Sequence, residues 1–320
     1  MVVRAGGAAD PRERIERLIQ QQDARFRGAF ELAISILLTS STLDALADLL
    51  EQGLFEDALS TLEDAGRALG NQYGASLVAA AQDTATWLST SALTVAVSYD
   101  VANTRAVNRV QQNRLRIIRD FTEEQRRATR AALAIGTERG LNPREQARAF
   151  RASIGLTERQ VRAVDNYRRL LEGGSLEVLQ RELRDRRFDR AVRSARSRGE
   201  PLTADQVNRM TEAYRRRYIN FRAETIARTE ALRATHEGVE EMYAQAIDDG
   251  QINPDGLSRR WLTARDRRVR DSHVLLNGLE RPLGETFPGG DGPLRFPGDP
   301  EAPATETVQC RCVLVTRLTP

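Results

Sequence analysis

The chain contains no lysine, so all 48 basic residues among its 320 are arginine. It has two cysteines, too few for a disulfide framework, which makes a reducing compartment the economical expectation. Aromatic residues make up 5% of the chain and rarely interleave with the arginines, leaving little to stack nucleic-acid bases. No apolar run reaches the roughly 18 residues that a membrane span needs. The most apolar stretch, around Ser91 to Val97, is rich in small residues and stops at Asp100. The N-terminus lacks a basic segment followed by an apolar one, so no secretory leader and no membrane anchor are expected, and synthesis in a cytoplasm follows. A net charge of only +3 argues for local basic faces over a general polyanion binder. Arginine would suit bidentate phosphate contacts, although coding bias in a GC-rich genome is the simpler source of the missing lysine. What remains is a 40% hydrophobic content over a length that allows two or three domains.

From Asp10 to about Asp248 apolar residues recur every three or four positions, and prolines stand only at segment starts, as helices require. Helix entries are marked by a repeated chemistry. Asp10-Pro11-Arg12-Glu13 and Asn142-Pro143-Arg144-Glu145 place an oxygen-bearing cap before a proline, with Glu closing the box. Thr122 with Gln125, Thr157 with Gln160 and Thr203 with Gln206 repeat the Thr-x-x-Gln form. Gly140, the pair Gly173-Gly174, and Gly199 followed by Pro201 mark the exits. Thr203 to Asp248 reads as one long kinked helix or two stacked ones, with Val207, Met210, Tyr214, Phe221, Ile226, Leu232, Val239 and Tyr243 along it.

From Gly250 prolines, glycines and short apolar runs replace the helical period. Arg259 to Ala264 reads as a strand, Asp266 to Leu276 as a short helix and Asn277-Gly278 as a tight turn. Pro282 to Glu306 reads as a long loop, and Val308 to Leu318 as a closing strand. The expected fold class is therefore mainly α, a long helical N-terminal and middle region with a small C-terminal α+β domain. The expected boundaries are 1–120 for the N-terminal helices, 121–250 for an Arg-rich arm with the long helix, and 251–320 for the small domain.

Two constellations could carry chemistry. A helix expected between Arg181 and Arg198 has eight arginines against Glu182, Asp185 and Asp189. Arg181, Arg184, Arg187 and Arg190, with Arg215, Arg216 and Arg217 of the next helix, form a candidate face for tracking phosphates. The alternative is a solvated face laced by pairs such as Glu182–Arg186 and Asp185–Arg181. His273, Cys310 and Cys312 are soft or borderline metal ligands in one small region. On a strand the two thiols would share a face roughly 7 Å apart, unsuited to a mutual disulfide. A shared zinc would need a fourth ligand such as Asp266, because the other histidine, His236, lies on the long helix. The plainer reading is two reduced thiols in a small core beside a hydrogen-bonded His273. No local signature of a thiol enzyme surrounds them. Gly284, Gly289, Gly290, Gly292 and Gly298 lack the lysine and the strand-loop-helix setting of a phosphate loop. A nuclease built on Asp266, Asp271 and His273 is the least unsatisfactory catalytic option, so no catalytic residue and no enzyme are expected.

The ordered set Ala227-Arg228-Thr229-Glu230, Trp261, Asp266-Arg267-Arg268-Val269-Arg270-Asp271-Ser272-His273, Gly278, Phe287, Pro297-Gly298-Asp299-Pro300 and Cys310-Arg311-Cys312 resembles the pattern of the phage Mu F-like head-morphogenesis family. The resemblance covers about residues 225 to 315, and the stretch from Thr122 to Leu171 looks like the region upstream of that domain. The resemblance implies a minor capsid protein, made in few copies inside the phage head. It would be associated with the portal and the major capsid protein, and needed for head assembly and for DNA packaging or ejection. It also implies residence in the virion, after assembly in the host cytoplasm, and no catalysis. Alternative readings are a DNA-binding accessory factor that contacts packaged double-stranded DNA, or a metal- or thiol-dependent enzyme. Some family members carry a CxxC-type pair where Arg270 and His273 stand here, and a histidine where Val308-Gln309 precede Cys310. That departure removes candidate ligands, so no cofactor is expected. Independently of the family, Asp266 is placed to cap the short helix through Val269, with Arg270 and His273 on the same face. This polar seam is expected to clamp the Pro297–Pro300 loop and the final strand.

Overall fold

The structure, a computed structural model, describes residues 10–60, 62, 65–90 and 96–318, so Ser91 to Val95 of the most apolar stretch lie outside it. In chain order the helices are α1 Pro11–Ser40, α2 Leu43–Glu51, α3 Phe55–Ser60, α4 Gly66–Thr90, α5 Thr104–Glu138, α6 Pro143–Ser153, α7 Glu158–Glu172, α8 Asp189–Arg198, α9 Ala204–Asp248, α10 Asp271–Val274 and α11 Ala304–Thr307. The strands are β1 Leu257–Leu262, β2 Glu280–Pro282, β3 Phe287–Pro288, β4 Pro293–Leu294 and β5 Val313–Leu318. The chain is thus mainly α with a small antiparallel C-terminal region, as its periodicity predicts. Among the described residues no single helix is long and apolar enough to cross a membrane.

Most helix signals work as their chemistry dictates. Asp10 accepts from the Arg12 N–H at 2.8 Å, and Asn142 with Glu145 and Thr157 with Gln160 make complete capping boxes. Thr203 and Gln206 exchange both bonds, at 2.9 and 3.2 Å. Gly140, Gly174 and Gly199 take left-handed φ of 65–68° where α5, α7 and α8 end. Thr122 is the exception, since it lies inside α5 and starts nothing. Its partner Gln125 instead turns inward, accepting from the buried Gly155 N–H at 2.9 Å and donating to the Ser153 carbonyl at 3.2 Å. The expected Arg181–Arg198 helix is also corrected: two short 3-10 turns, Leu176–Gln180 and Arg186–Phe188, precede α8. Asp185 caps the second of them through the Arg187 N–H, which breaks the run.

The chain forms two compact units that do not follow its linear order. The first gathers the residues up to Phe30, Ala68–Ile117 and Thr225 onward; the second gathers Glu31–Arg67 and Ile118–Glu224. The small C-terminal region therefore shares a core with the first helix, where the linear reading kept 1–120 and 251–320 apart. Periodicity marks helices but carries no information on which distant segment covers a stripe. In the second unit, Tyr167, Leu171 and Val178 pack with Val192, Val207, Met210 and Tyr214, and Tyr167 stacks on Tyr214 at 4.1 Å.

In the first unit, Ile15 and Leu18 of α1 and Ala81, Ala85 and Leu88 of α4 pack against Val239, Met242 and Tyr243 of α9 and against Leu257 and Val313 of the sheet. Gly238 permits this approach, because a Cβ there would stand 2.2 Å from the Leu77 carbonyl oxygen. A polar seam, unforeseen in the sequence, joins α5 to α9. Arg105 binds Glu241 at 2.8 Å, Arg109 binds Glu237 at 3.2 Å, and Tyr73 donates to Glu237 at 2.5 Å. The sheet has the order β2-β1-β5, antiparallel throughout, with Leu257 opposite Leu318 and Leu262 opposite Val313.

Two buried side chains fasten this sheet. Arg259, 1% exposed, points off β1 and donates to the carbonyls of Pro282 at 3.0 Å and Arg295 at 2.9 Å, and also to Glu285 and the Glu240 carboxylate. His236 of α9 donates through Nδ1 to the Leu232 carbonyl at 2.9 Å and accepts at Nε2 from the Leu314 N–H at 2.9 Å. Burial pushes its pKa down to about 4. Arg259→Met leaves one carboxylate and three carbonyls without their donor and is expected to cost about 3–5 kcal/mol in denaturant unfolding, with no rescue by Arg259→Lys. His236 stays neutral in the folded chain while the unfolded chain takes up a proton below its ordinary value. Stability is therefore lost as pH falls from about 6.5 towards 4, by about 3 kcal/mol from this one group. His236→Gln should flatten that slope in urea titrations, and an unchanged slope would remove His236 as its source.

Candidate functional site

The motif residues converge around the C-terminal half of α9. Thr229 accepts from the Gln309 N–H at 3.0 Å, and Gln309 takes φ 55°, a left-handed turn just before Cys310. Arg233 donates to the Gly298 carbonyl at 2.9 Å and to Thr307 at 3.1 Å, while Glu230 binds Arg233 at 2.7 Å and Arg116 at 3.6 Å. Gly278, φ 87°, donates to the Trp261 carbonyl at 2.7 Å and closes the turn that starts β2. Pro297 and Asp299 are buried. Burial pushes the Asp299 carboxyl up, but hydrogen bonds from Arg295 and the Glu301 N–H overcome it and hold the pKa below the usual range. Arg228 is exposed.

The expected Asp266–Arg270–His273 seam does not form. The helix starts at Asp271, so Asp266 makes a turn with the Arg268 N–H at 2.9 Å instead of capping it. Asp266 pairs with Arg311, whose hydrogen bonds bring its carboxyl down to about 2. Arg270 donates to the carbonyls of Thr305 and Val308 instead of to Asp266. The Pro297–Pro300 loop is held by Arg233 and by the Arg295–Asp299 pair. Three- and four-residue spacing fails as a guide here because only four residues are helical.

His273 instead turns into the core. It is 1% exposed, with Nδ1 3.6 Å from Cys310 Sγ and 3.5 Å from Cys312 Sγ. Its Nε2 lies 2.7 Å from Glu306 Oε2, out of line for a full hydrogen bond. Glu306 carries no signal in the sequence. It is buried, accepts from the Asp291 N–H at 3.0 Å and from Ser272 Oγ at 3.2 Å, and is reached because Gly290 has no Cβ to block it. The thiols precede β5 and do not lie on it, so they converge on one imidazole and do not stand apart along a strand. Trp261, Leu276, Phe287, Leu294 and Leu314 enclose them. A hydrogen bond from Cys312, then one from His273 against the cost of burial, holds Cys310 below the usual thiol range, and Cys312 is pushed up in turn.

The arginine face is largely neutralised within itself. Arg184 binds Asp189 at 3.0 Å and Arg187 binds Asp185 at 2.6 Å. Arg215 and Arg216 reach Glu212 at 2.8 and 4.0 Å, and Arg217 reaches Asp185 at 3.5 Å. Arg190 is exposed and Arg181 half-buried. The intrahelical pairs expected at Glu182–Arg186 and Asp185–Arg181 are replaced by these, because the segment is not one helix.

The motif residues thus lie on several segments of the small antiparallel domain gathered around one long helix. Residues 165–315, a little under half of the chain, match the family described as Phage Mu protein F like protein. The match takes in all of the C-terminal motif and only the end of the upstream stretch from Thr122 to Leu171. The chain is also similar to the uncharacterized protein YqbB of Bacillus subtilis (strain 168), 33% identical over 97 residues, which are 29% of this chain and 30% of that protein. No solved structure matches the chain.

Asp266→Ala is expected to change the unfolding midpoint little, because its pair with Arg311 is solvent-screened. Arg270→Ala should destabilise the fold by roughly 1–2 kcal/mol, since two loop carbonyls lose their donor. Chemical denaturation of both variants checks the order, and equal losses would contradict it.

Proposed function

We propose that the protein is a minor head component, held in several copies around the portal on the inner side of the capsid and needed for head assembly and for DNA packaging or ejection. The observation that carries this is the family match over residues 165–315, whose motif residues meet in one folded clamp. In this reading the partners are the portal and the major capsid protein, and the protein is a non-catalytic scaffold that travels with the virion. Two features support a binding role over chemistry. The thiols of Cys310 and Cys312, with His273 and Glu306, are buried in the core of the clamp, and the space beside them, about 10 Å³, admits one water and no organic substrate. Packaged DNA is a secondary partner, touched by exposed guanidinium groups such as Arg190.

Affinity capture of the tagged chain, co-expressed with the portal protein of the same phage, should retain the portal. Purified procapsids should contain the chain in few copies relative to the major capsid protein. Procapsids assembled normally without it, together with failure to retain the portal, would sink the proposal.

A further inference from the structure

We infer that His273, Cys310 and Cys312 bind one zinc ion, with a water in the fourth position. Three observations carry this. The first is metric. Zn–S bonds of about 2.3 Å and a Zn–N bond of about 2.0–2.1 Å, set at the tetrahedral angle, separate sulfur and nitrogen by about 3.6 Å. His273 Nδ1 stands 3.6 Å from one thiol and 3.5 Å from the other, and the three ligand atoms lie within 4.8 Å of one another. Both nitrogen–sulfur edges of a zinc tetrahedron are thus already in place.

The second observation is how the imidazole is held. Its Nε2 faces the buried Glu306 carboxylate at 2.7 Å, which keeps the ring proton on Nε2 once the metal takes Nδ1. A carboxylate behind a histidine is the usual support of a zinc ligand. Glu306 is itself fixed, by the Asp291 N–H and by Ser272. The third is the space left over. A cavity of about 10 Å³, lined by Arg268, Val269, Arg270, Gln309 and Arg311 beside the cluster, has room for one water.

Charge also fits. Two thiolates cancel a dication, so the metal with its thiolates adds no net charge to the core, and a sulfur and imidazole set prefers zinc to magnesium or calcium. Each thiol gives up its proton to solvent as the metal enters, and no redox step is involved. The sequence spacing conceals this, because Cys310 and Cys312 come together with His273 only through the left-handed turn at Gln309.

The test is metal analysis of the full chain, reduced, exposed to zinc sulfate and freed of loose metal by gel filtration. One zinc per chain is expected, lost in Cys310→Ser and Cys312→Ser. The wild-type chain loaded with cobalt(II) instead should show thiolate charge-transfer bands and the intense visible bands of a tetrahedral site. Glu306→Gln should keep the stoichiometry and weaken zinc binding about 10–100-fold in chelator competition. Circular dichroism of each variant separates loss of the site from loss of the fold. Absence of both zinc and the cobalt spectrum in the folded wild-type chain would overturn the inference. So would zinc that persists in the folded cysteine variants.

Discussion

The C-terminal region poses one problem that the rest of its structure answers: a long stretch between β2 and β5 has almost no ladder to satisfy its backbone. Arg259 answers most of it. A single guanidinium, buried at the middle of β1, reaches three carbonyls of that stretch and a glutamate of α9 at once. Leaving such groups unpaired in a core costs more than the pairing itself yields, so the arginine acts as the missing strand. Arg233, Arg270 and Arg295 do the same at Gly298, at Thr305 and Val308, and at Asp299. The planar five-donor group explains why arginine serves where the single charge of an ammonium would not.

The family motif then has a physical meaning. Its pieces lie far apart in the chain because they belong to different segments that one helix collects. Thr229 fixes the turn before the first cysteine, Arg233 fixes the Pro-Gly-Asp loop, and His236 fixes β5. Glu306 and Gly290 complete the set by supporting His273. An ordered string of identities can thus mark a fold whose logic is long-range hydrogen bonding.

Local chemistry makes the helical part of this architecture legible. The boxes at Asn142, Thr157 and Thr203 and the glycine exits work through bonds within four residues, and all are found in place. The errors share one cause. Thr122 carries the same pattern as Thr157, but packing around Gln125 decides between cap and interior. Spacing pairs Asp266 with Arg270, whereas its partner Arg311 is 45 residues away. Glu306 carries no signal at all, being one glutamate among many, and the α5–α9 seam is equally silent. In the candidate site the residue types can be picked out from the sequence, but their convergence cannot.

The seam between α5 and α9 has a consequence tied to the missing lysines. Its cations are all arginines, a side chain without the readily lost proton of an ammonium. Burial works to lower the pKa of Arg105, but Glu241 and Asp248 outweigh it and raise the value further. Alkali therefore has little purchase on the Arg105 contact. The chain also offers acetylating enzymes and amine-directed cross-linkers no side chain anywhere along its length.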